Sequence, residues 1–458
     1  MADNGWVNPL SQTTPRLTWL AGAFVVSFCA LVASIGADAH WLAALGGEIV
    51  ELGKIPAGVP YAAASSAGWE NAPVLGELAF HGLEAALGDR GLLFALVGAV
   101  LLAVAVLSLD MRRADTADAP SALVLLLVAV AASQSLLVVR GQLFSLALFP
   151  VVVLILRDQA RLPSQTIWVL PPLFALWSNL HGGVLVGIAV TGAYLLFHRL
   201  RRTPGTAIAV LVASLAAVLA TPSLLDTRRY YHGVLGSEAA VGHEGLWAPL
   251  SFDMPLDIAF FVAGVPLVLA ALASRPKLWE LVALTGLAAL TIQAGRNAVW
   301  LVVFAALPAA RWLTGTREWR IRPPRLVTGA LAAMLVLLLA VGLGRAVAPP
   351  GAGDALRARA ALKAGSAPIL ADDINAEALA LDGRLVWIAN PLDAFTLADQ
   401  RLYLDWIAGR ESGDALPASF PAVLVTADTP PAERLAGRDG WRVAARDERA
   451  VLFVRARR

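Results

Sequence analysis

Gly91-Leu92-Leu93-Phe94-Ala95-Leu96-Val97-Gly98-Ala99-Val100-Leu101-Leu102-Ala103-Val104-Ala105-Val106-Leu107-Ser108-Leu109 runs for nineteen residues without a charge. As a helix rising 1.5 Å per residue it would be about 28 Å long, close to the thickness of a bilayer's hydrocarbon core. Working outward, ten further apolar stretches obey the same logic: 17–37, 121–139, 143–156, 165–180, 182–198, 205–221, 257–274, 277–294, 297–314 and 325–343. The pattern predicts about eleven transmembrane helices, two of them (143–156 and 165–180) short or interrupted by Pro171 and Pro172. The first stretch is too long for a cleavable signal peptide and has no small-residue cleavage site after it. Of the 458 residues, 58% are hydrophobic and 15% charged. Soluble proteins sit near 45–50% and 25%, so a soluble enzyme, a disordered chain and a secreted disulfide scaffold are excluded. Cys29 is the only cysteine, which leaves no disulfide framework or zinc cluster within one chain. A net charge of +2 offers no basic field for nucleic acid.

Arginine and lysine in the connections set the orientation. With a cytoplasmic N-terminus, fifteen fall in the inside segments, among them Arg112, Arg113, Arg157, Arg161, Arg199, Arg311, Arg317, Arg320 and Arg322, and six fall in the much longer outside segments. An odd number of spans then places the C-terminus outside. Three outside segments are long: 38–90, 222–256 and the tail 350–458, entered through Ala348-Pro349-Pro350-Gly351-Ala352-Gly353. The domains expected are a transmembrane unit over 1–347 and a small periplasmic α/β domain over 348–458. In the tail, β-type runs at 368–371, 385–388, 422–426, 441–444 and 450–454 alternate with helical stretches at 373–381 and 396–409. No internal repeat points to an inverted-repeat transporter.

Ionisable groups near a membrane are costly, so their placement carries information. The outer span ends collect Asp38, His40, Arg140, Gln142, Asn179, His181, Asp226, Arg228, Arg229, Arg296 and Asn297, and the outer loops add Glu70, Glu77, His81, His243 and Glu244. Polar groups from many spans on one face outline an active site at the outer interface, although interfacial residues are polar in any membrane protein. Asp38 follows the first span. A carboxylate there takes a proton from an acceptor hydroxyl, binds a divalent metal, or caps a helix over 39–52. Glu70 and Glu77 flank the helix-breaking Pro73, which precedes an amphipathic stretch to Leu87; they are a second acidic candidate or ordinary charges of a solvated loop. In Trp177-Ser178-Asn179-Leu180-His181-Gly182-Gly183 an amide, an imidazole and two glycines meet at a span end, suited to a ligand or to a tight turn. Arg140 and Arg296 suit bidentate binding of a lipid phosphate, or snorkelling into headgroups.

Taken together, these residues resemble the GT-C superfamily of integral-membrane glycosyltransferases, especially bacterial members that are mannosyltransferase-like or arabinosyltransferase-like. The resemblance rests on Asp38 ending the first span before a long outer loop. It also rests on Ile55-Pro56, Gly68-Trp69-Glu70-Asn71, Arg140-Gly141-Gln142-Leu143-Phe144-Ser145, the Trp177–Gly183 string, Glu244-Gly245-Leu246-Trp247-Ala248-Pro249 and Gly440-Trp441-Arg442-Val443. It spans most of the chain, with no single highly specific motif. It implies a polytopic helical GT-C-like fold and transfer of a sugar, on the outer face of a bacterial inner membrane, from a polyprenyl-phosphate donor to a glycan, lipid or protein acceptor. It assigns Asp38, with Glu70 or Glu77, to catalysis, and it implies a possible divalent metal, Mg or Mn, at Asp38. His40, Arg140, Gln142, Asn179, His181, His243, Glu244 and Arg296 become the substrate-binding set. The chain departs from the family in lacking a paired acid at the end of the first span. The rival class is a non-catalytic transporter, flippase or scaffold subunit for envelope glycans, favoured by polar residues deep within spans, of which Gln134 and Gln293 are partial instances. The tail, with no His or Cys and with scattered acids, is expected to dock over the outer cavity and to act on acceptor binding more than on chemistry. Asp372-Asp373 is read there as a helix N-terminus or a cation site.

Overall fold

The computed structural model describes residues 16–316, 318–319, 321, 323–347 and 351–456. Arg317, Arg320, Arg322 and the linker residues 348–350 lie outside the described residues. Every one of the eleven apolar stretches is helical. Five helices are long and apolar enough to cross a membrane: Asp89–Arg113, Leu143–Arg161, Pro255–Ala273, Gly295–Thr316 and Arg325–Gly344. Five more apolar helices are shorter, Arg16–Val32, Asp118–Ala131, Val184–Arg199, Pro204–Val218 and Leu278–Gln293. The eleventh stretch forms Leu170–Leu180, with Pro171 and Pro172 in its first turn, where proline's missing N–H costs nothing. Asp89–Arg113 begins on an acid and ends on two arginines, complementing the helix dipole.

Arg325–Gly344 shows why water is the wrong solvent for this bundle. It rests on Arg16–Val32 along one edge, where a Cβ on Gly342 would come within 2.7 Å of the Ala30 backbone. The rest of its surface, Leu326, Val336 and Leu337 among it, is exposed. Apolar area of that extent is stable in a lipid environment. The protein is a multi-pass membrane protein.

At one end of the bundle the connections are long. Ala39–Leu52 and Val74–Leu87 form an antiparallel pair packed closely enough that a Cβ on Gly46 would sit 2.2 Å from the Glu77 carbonyl. The tail covers this end. Its sheet places Leu370–Ala371 parallel to Ala422–Thr426, followed by Ala450–Arg455 and Trp441–Arg446 as antiparallel neighbours. Helices Asp354–Ala364, Asp373–Leu381 and Leu397–Ile407 pack around it. The tail is stitched to the first long loop by backbone bonds: Ala63 N–H to Val386 O at 2.8 Å, Ala64 N–H to Trp387 O at 3.0 Å and Val386 N–H to Tyr61 O at 2.9 Å. Paired strand backbone is an obligatory hydrogen-bonding arrangement, so the two parts hold a fixed relation at this seam.

Candidate active site

The site is built from the ends of helices that the fold sets side by side. Ser34–Ile35 pairs in parallel with Val138–Val139, and Gly36 N–H donates to Val139 O at 3.1 Å. Asp38 and Arg140 follow that ladder directly. Asp38 opens the helix Ala39–Leu52 at φ 80°, the left-handed region, which costs a non-glycine residue about 1–2 kcal/mol. It occupies the cap position, but its side chain makes no capping bond. Its Oδ1 meets only the Trp41 indole N–H, at 3.4 Å. The carboxylate is therefore free for something other than capping.

Arg296 enters from the turn Gly295–Asn297, whose Arg296 carbonyl accepts from Gln142 Nε2 at 3.3 Å. Its guanidinium lies over the Trp247 ring, 4.7 Å from the centroid, a cation–π contact. Among the described residues neither Arg140 nor Arg296 is in an ion pair, and the buried Nε of Arg140 has no hydrogen-bond partner. Burial pulls the Arg140 pKa down, and Asp38 is the first of the nearby acids that oppose this. Two guanidiniums that are in no ion pair among the described residues present donors of the kind that suit an acceptor-rich anion.

His181 stands beside them. Burial first, and the Arg296 charge second, push its pKa down to about 3, so the ring is neutral at neutral pH. Its Nδ1 accepts from Gly183 N–H at 3.1 Å and lies 2.7 Å from Ser145 Oγ. That oxygen takes the Trp177 indole N–H at 2.7 Å, so its own proton points to the imidazole. The ring proton is thereby assigned to Nε2, a donor. Gly182 lets the turn approach Tyr230, whose hydroxyl would lie 2.8 Å from an added Cβ.

Burial is also the largest cause of the pKa shifts at Asp373 and Asp393, each raised to about 6. Yet Arg140, His181, Arg296 and Asp393 are only half-buried, and Asp373 is exposed. These groups, brought together between the helix ends and the tail, are still reached by water. Beside them, an apolar groove of about 430 Å³ runs along Pro249, Leu250, Phe260, Phe261, Val265 and Ile292. Leu250 packs on Gly295, next in the chain to Arg296.

The other expected site residues are placed elsewhere. His40 is buried and its Nε2 lies 2.7 Å from Asp89, joining two helix N-termini. Asn179 donates to the carbonyls of Ala175 and Ala220, at 2.8 and 2.6 Å, and so locks a helix end. Glu70 sits in a loop 3.9 Å from Arg229. Glu77, on a different element from Glu70, is sealed from solvent and accepts from Asn71 Nδ2 at 2.7 Å. Burial raises Glu77 to about 8, so it is a neutral acid at neutral pH and out of reach of a substrate. His243 is exposed at φ 55°, and Glu244 is engaged by Arg410 of the tail at 2.6 Å. Gln134 is half-buried and Gln293 exposed, so neither is a polar group sealed within the bundle.

Sequence reasoning missed the tail's share. The Glu377 carboxylate accepts the Asp38 backbone N–H on both oxygens, at 3.0 and 2.9 Å, and is also bonded by Asn390 Nδ2. Asp393 accepts the Trp69 indole N–H at 3.1 Å. Asp372 caps its helix through Asn375 N–H. Asp372 is the helix N-terminus expected from the sequence, but nothing in the spacing marks Glu377 or Asp393. Their partners lie more than 300 residues away, and only the fold brings them together.

A divalent metal does not fit this donor set. Among the described residues no three His, Cys, Asp or Glu side chains converge to hold one, Glu377 is occupied by backbone and amide donors, and the charges nearest Asp38 include guanidiniums. No step is routed through a metal here.

No protein-family model matches the chain, and no curated protein matches its sequence. Two crystal structures of ArnT from Cupriavidus metallidurans share its fold. The apo form is 15% identical with a TM-score of 0.54, over 95% of this chain and 97% of that one. The form bound to undecaprenyl phosphate is 16% identical with a TM-score of 0.54, over 99% and 98%. The GT-C-like fold with a C-terminal sheet domain, expected from the sequence, is the fold observed.

Proposed function

We propose that this protein is a glycosyltransferase that moves a sugar from a polyprenyl-phosphate donor to a cell-envelope acceptor. The observation that carries the reading is the pair Arg140 and Arg296, half-buried at the tail end of the bundle, in no ion pair among the described residues, and near the Asp38 carboxylate. A lipid phosphate supplies the missing anion, and the solved structure with undecaprenyl phosphate shows that a protein of this fold holds one. The apolar groove next to Arg296 gives the first isoprenoid units a lipid-like wall.

In the reaction, Asp38 takes the proton from the acceptor hydroxyl as the acceptor oxygen bonds to the anomeric carbon. The bond from that carbon to the phosphate oxygen breaks, and the electron pair leaves with the lipid phosphate. Arg140 and Arg296 stabilise the charge that grows on the leaving phosphate, and the His181 Nε2 proton is placed to donate to it. With the N-terminus cytoplasmic, as the arginine distribution favours, this takes place on the periplasmic face of a bacterial inner membrane.

Purified protein in detergent, given a short polyprenyl phosphate and its sugar-charged forms, tests this reading. Arg140→Ala and Arg296→Ala should each weaken retention of the lipid phosphate by about tenfold or more, and wild type should transfer the sugar. Wild type that holds the lipid phosphate but transfers no sugar from any donor would favour the carrier or scaffold class instead.

A further inference from the structure

Resting on that reading, we propose that the tail is a working part of the site: Glu377 is a positioning residue that clamps the backbone of Asp38 and so aims its carboxylate at the arginine pair. Asp38 needs such a clamp. Its φ of 80° lies where residues with a Cβ rarely rest, and its side chain makes no cap that would hold it there. The ladder through Gly36 fixes the chain on one side of Asp38, and the helix Ala39–Leu52 fixes it on the other. Between them the Asp38 N–H has one partner, the two oxygens of Glu377.

Glu377 is equipped to act as a fixed point. It is 1% exposed and lies in the middle of the helix Asp373–Leu381. Asn390 holds its Oε1 from the other side, 2.5 Å away. The tail that carries it is in turn paired to 61–64 through Val386 and Trp387. No second carboxylate near Asp38 is available from the first span end, so the tail provides one. Burial first, and the neighbouring Asp38 charge second, raise the Glu377 pKa well above the usual carboxylate range, so its hold on Asp38 is the hydrogen bond to the backbone and not its charge. This proposal departs from the expectation that the tail acts on acceptor binding more than on chemistry.

The test is steady-state transfer with full-length protein, run beside binding of polyprenyl phosphate and a melting curve. Glu377→Ala should lower kcat by about thirtyfold or more, with the donor KM and the lipid-phosphate affinity within about twofold of wild type. Glu377→Gln keeps one acceptor oxygen and the side-chain shape. It should recover part of that loss at an equal melting temperature, and Asn390→Ala should cost a few-fold in kcat. A folded Glu377→Ala protein with wild-type kcat overturns the proposal. So does one that loses donor affinity in step with kcat, since Glu377 would then shape the donor pocket. If Glu377→Ala does not fold, Glu377→Gln decides by the same readouts, a fall in kcat at unchanged KM supporting the clamp and wild-type kcat removing it. Wild type inactive with every sugar-charged lipid overturns the functional reading and this inference with it, which separates that failure from a silent Glu377 in an active enzyme.

Discussion

Arg157 and Arg296 are both drawn into the same helical bundle, at opposite ends, and the protein treats them differently. Arg157 is 2% exposed and its charge is answered by acids, although its buried Nε has no hydrogen-bond partner. Asp110 holds its NH1 and the Phe304 carbonyl takes its NH2 at 2.6 Å. Glu280 stands 3.9 Å away, and the Phe304 ring lies 5.1 Å from its charge. Around it Arg161, Asp158, Arg113 and Arg311 extend the network. Arg296 has an indole face and, among the described residues, no ion pair. A buried cation without an anion is expensive. The far end has settled that cost within the chain, whereas the tail end has left it for a ligand. The contrast separates structural from functional arginines where composition cannot.

The sharpest way to break this comparison is to remove one acid at each end. Asp38→Asn should lower transfer by about 10²–10⁴-fold, the range of a lost general base, while lipid-phosphate binding persists. Asp110→Asn should leave kcat per folded molecule unchanged. If Asp38→Asn transfers sugar at the wild-type rate, Asp38 is not the base and the two ends are not functionally distinct.

Exchanging acids for arginines reads the same contrast as stability. Arg157→Ala leaves Asp110 to Arg161 alone and Glu280 to the more distant Arg311, and should cost up to about 3–5 kcal/mol, seen as a large drop in melting temperature or in resistance to denaturing detergent. Arg296→Ala removes an unanswered charge, so its melting temperature should stay level or rise even as lipid-phosphate binding falls. Equal destabilisation by both would mean that Arg296 has a structural partner after all.

Much of this was legible in advance, and the rest was not for a physical reason. Hydropathy marked the apolar helices, five of them long enough to cross a membrane, because a bilayer imposes a length and a polarity on each span independently. Local grammar gave Ala39–Leu52 after Asp38, Val74–Leu87 after Pro73, and the tail strands Ala422–Thr426 and Ala450–Arg455. Arg140 and Arg296 were legible as phosphate-binding or snorkelling residues, and only the fold shows them side by side with no ion pair among the described residues. Asp38, in contrast, was readable as a plain N-cap, and only the φ of 80° and the absent cap bond remove that reading. Glu377 was invisible, because its meaning is a contact 339 residues away. His40 and Asn179 misled because a polar residue at a span end looks alike whether it meets a ligand, Asp89 or a carbonyl.

A smaller effect comes from Glu77, an acid sealed on the tail side without a cation to answer it. Burial raises its pKa from 4.5 to about 8. Between those values the unfolded chain has lost the proton and the folded one keeps it. Stability is therefore fully present below about pH 4.5 and declines as pH rises toward 8, by a few kcal/mol at most. Glu77→Gln keeps the shape and can still accept from Asn71. It should abolish this decline, so that wild type and variant melt together near pH 5 and the variant melts higher at pH 8.5. Parallel melting curves across that range would show that Glu77 is ionised in the folded protein.

The smallest expected effect tests what holds the tail in place. Besides the bonds of Glu377 and Asp393, two kinds of contact join it to the membrane part. One is the backbone seam of 61–64 with Val386 and Trp387; the other is a rim of ion pairs, Arg410 with Glu244 at 2.6 Å and Arg401 with Glu238 at 2.8 Å. Arg410 and Arg401 are largely exposed, with side chains 48% and 68% accessible. An exposed pair gains little in water, loses side-chain entropy and is screened by salt, so it is worth less than about 1 kcal/mol. The seam has none of these weaknesses, because its donors and acceptors would be left unsatisfied if it opened. Arg410→Ala and Glu244→Ala should therefore shift the melting temperature by no more than a degree or two and leave kcat unchanged. Val386→Pro deletes the N–H that Tyr61 O accepts and should lower kcat at constant donor affinity, because the clamp on Asp38 loosens when the tail does. A large loss of transfer on removing Arg410 or Glu244, with the seam intact, would move the anchoring of the site from the strand pairing to the rim.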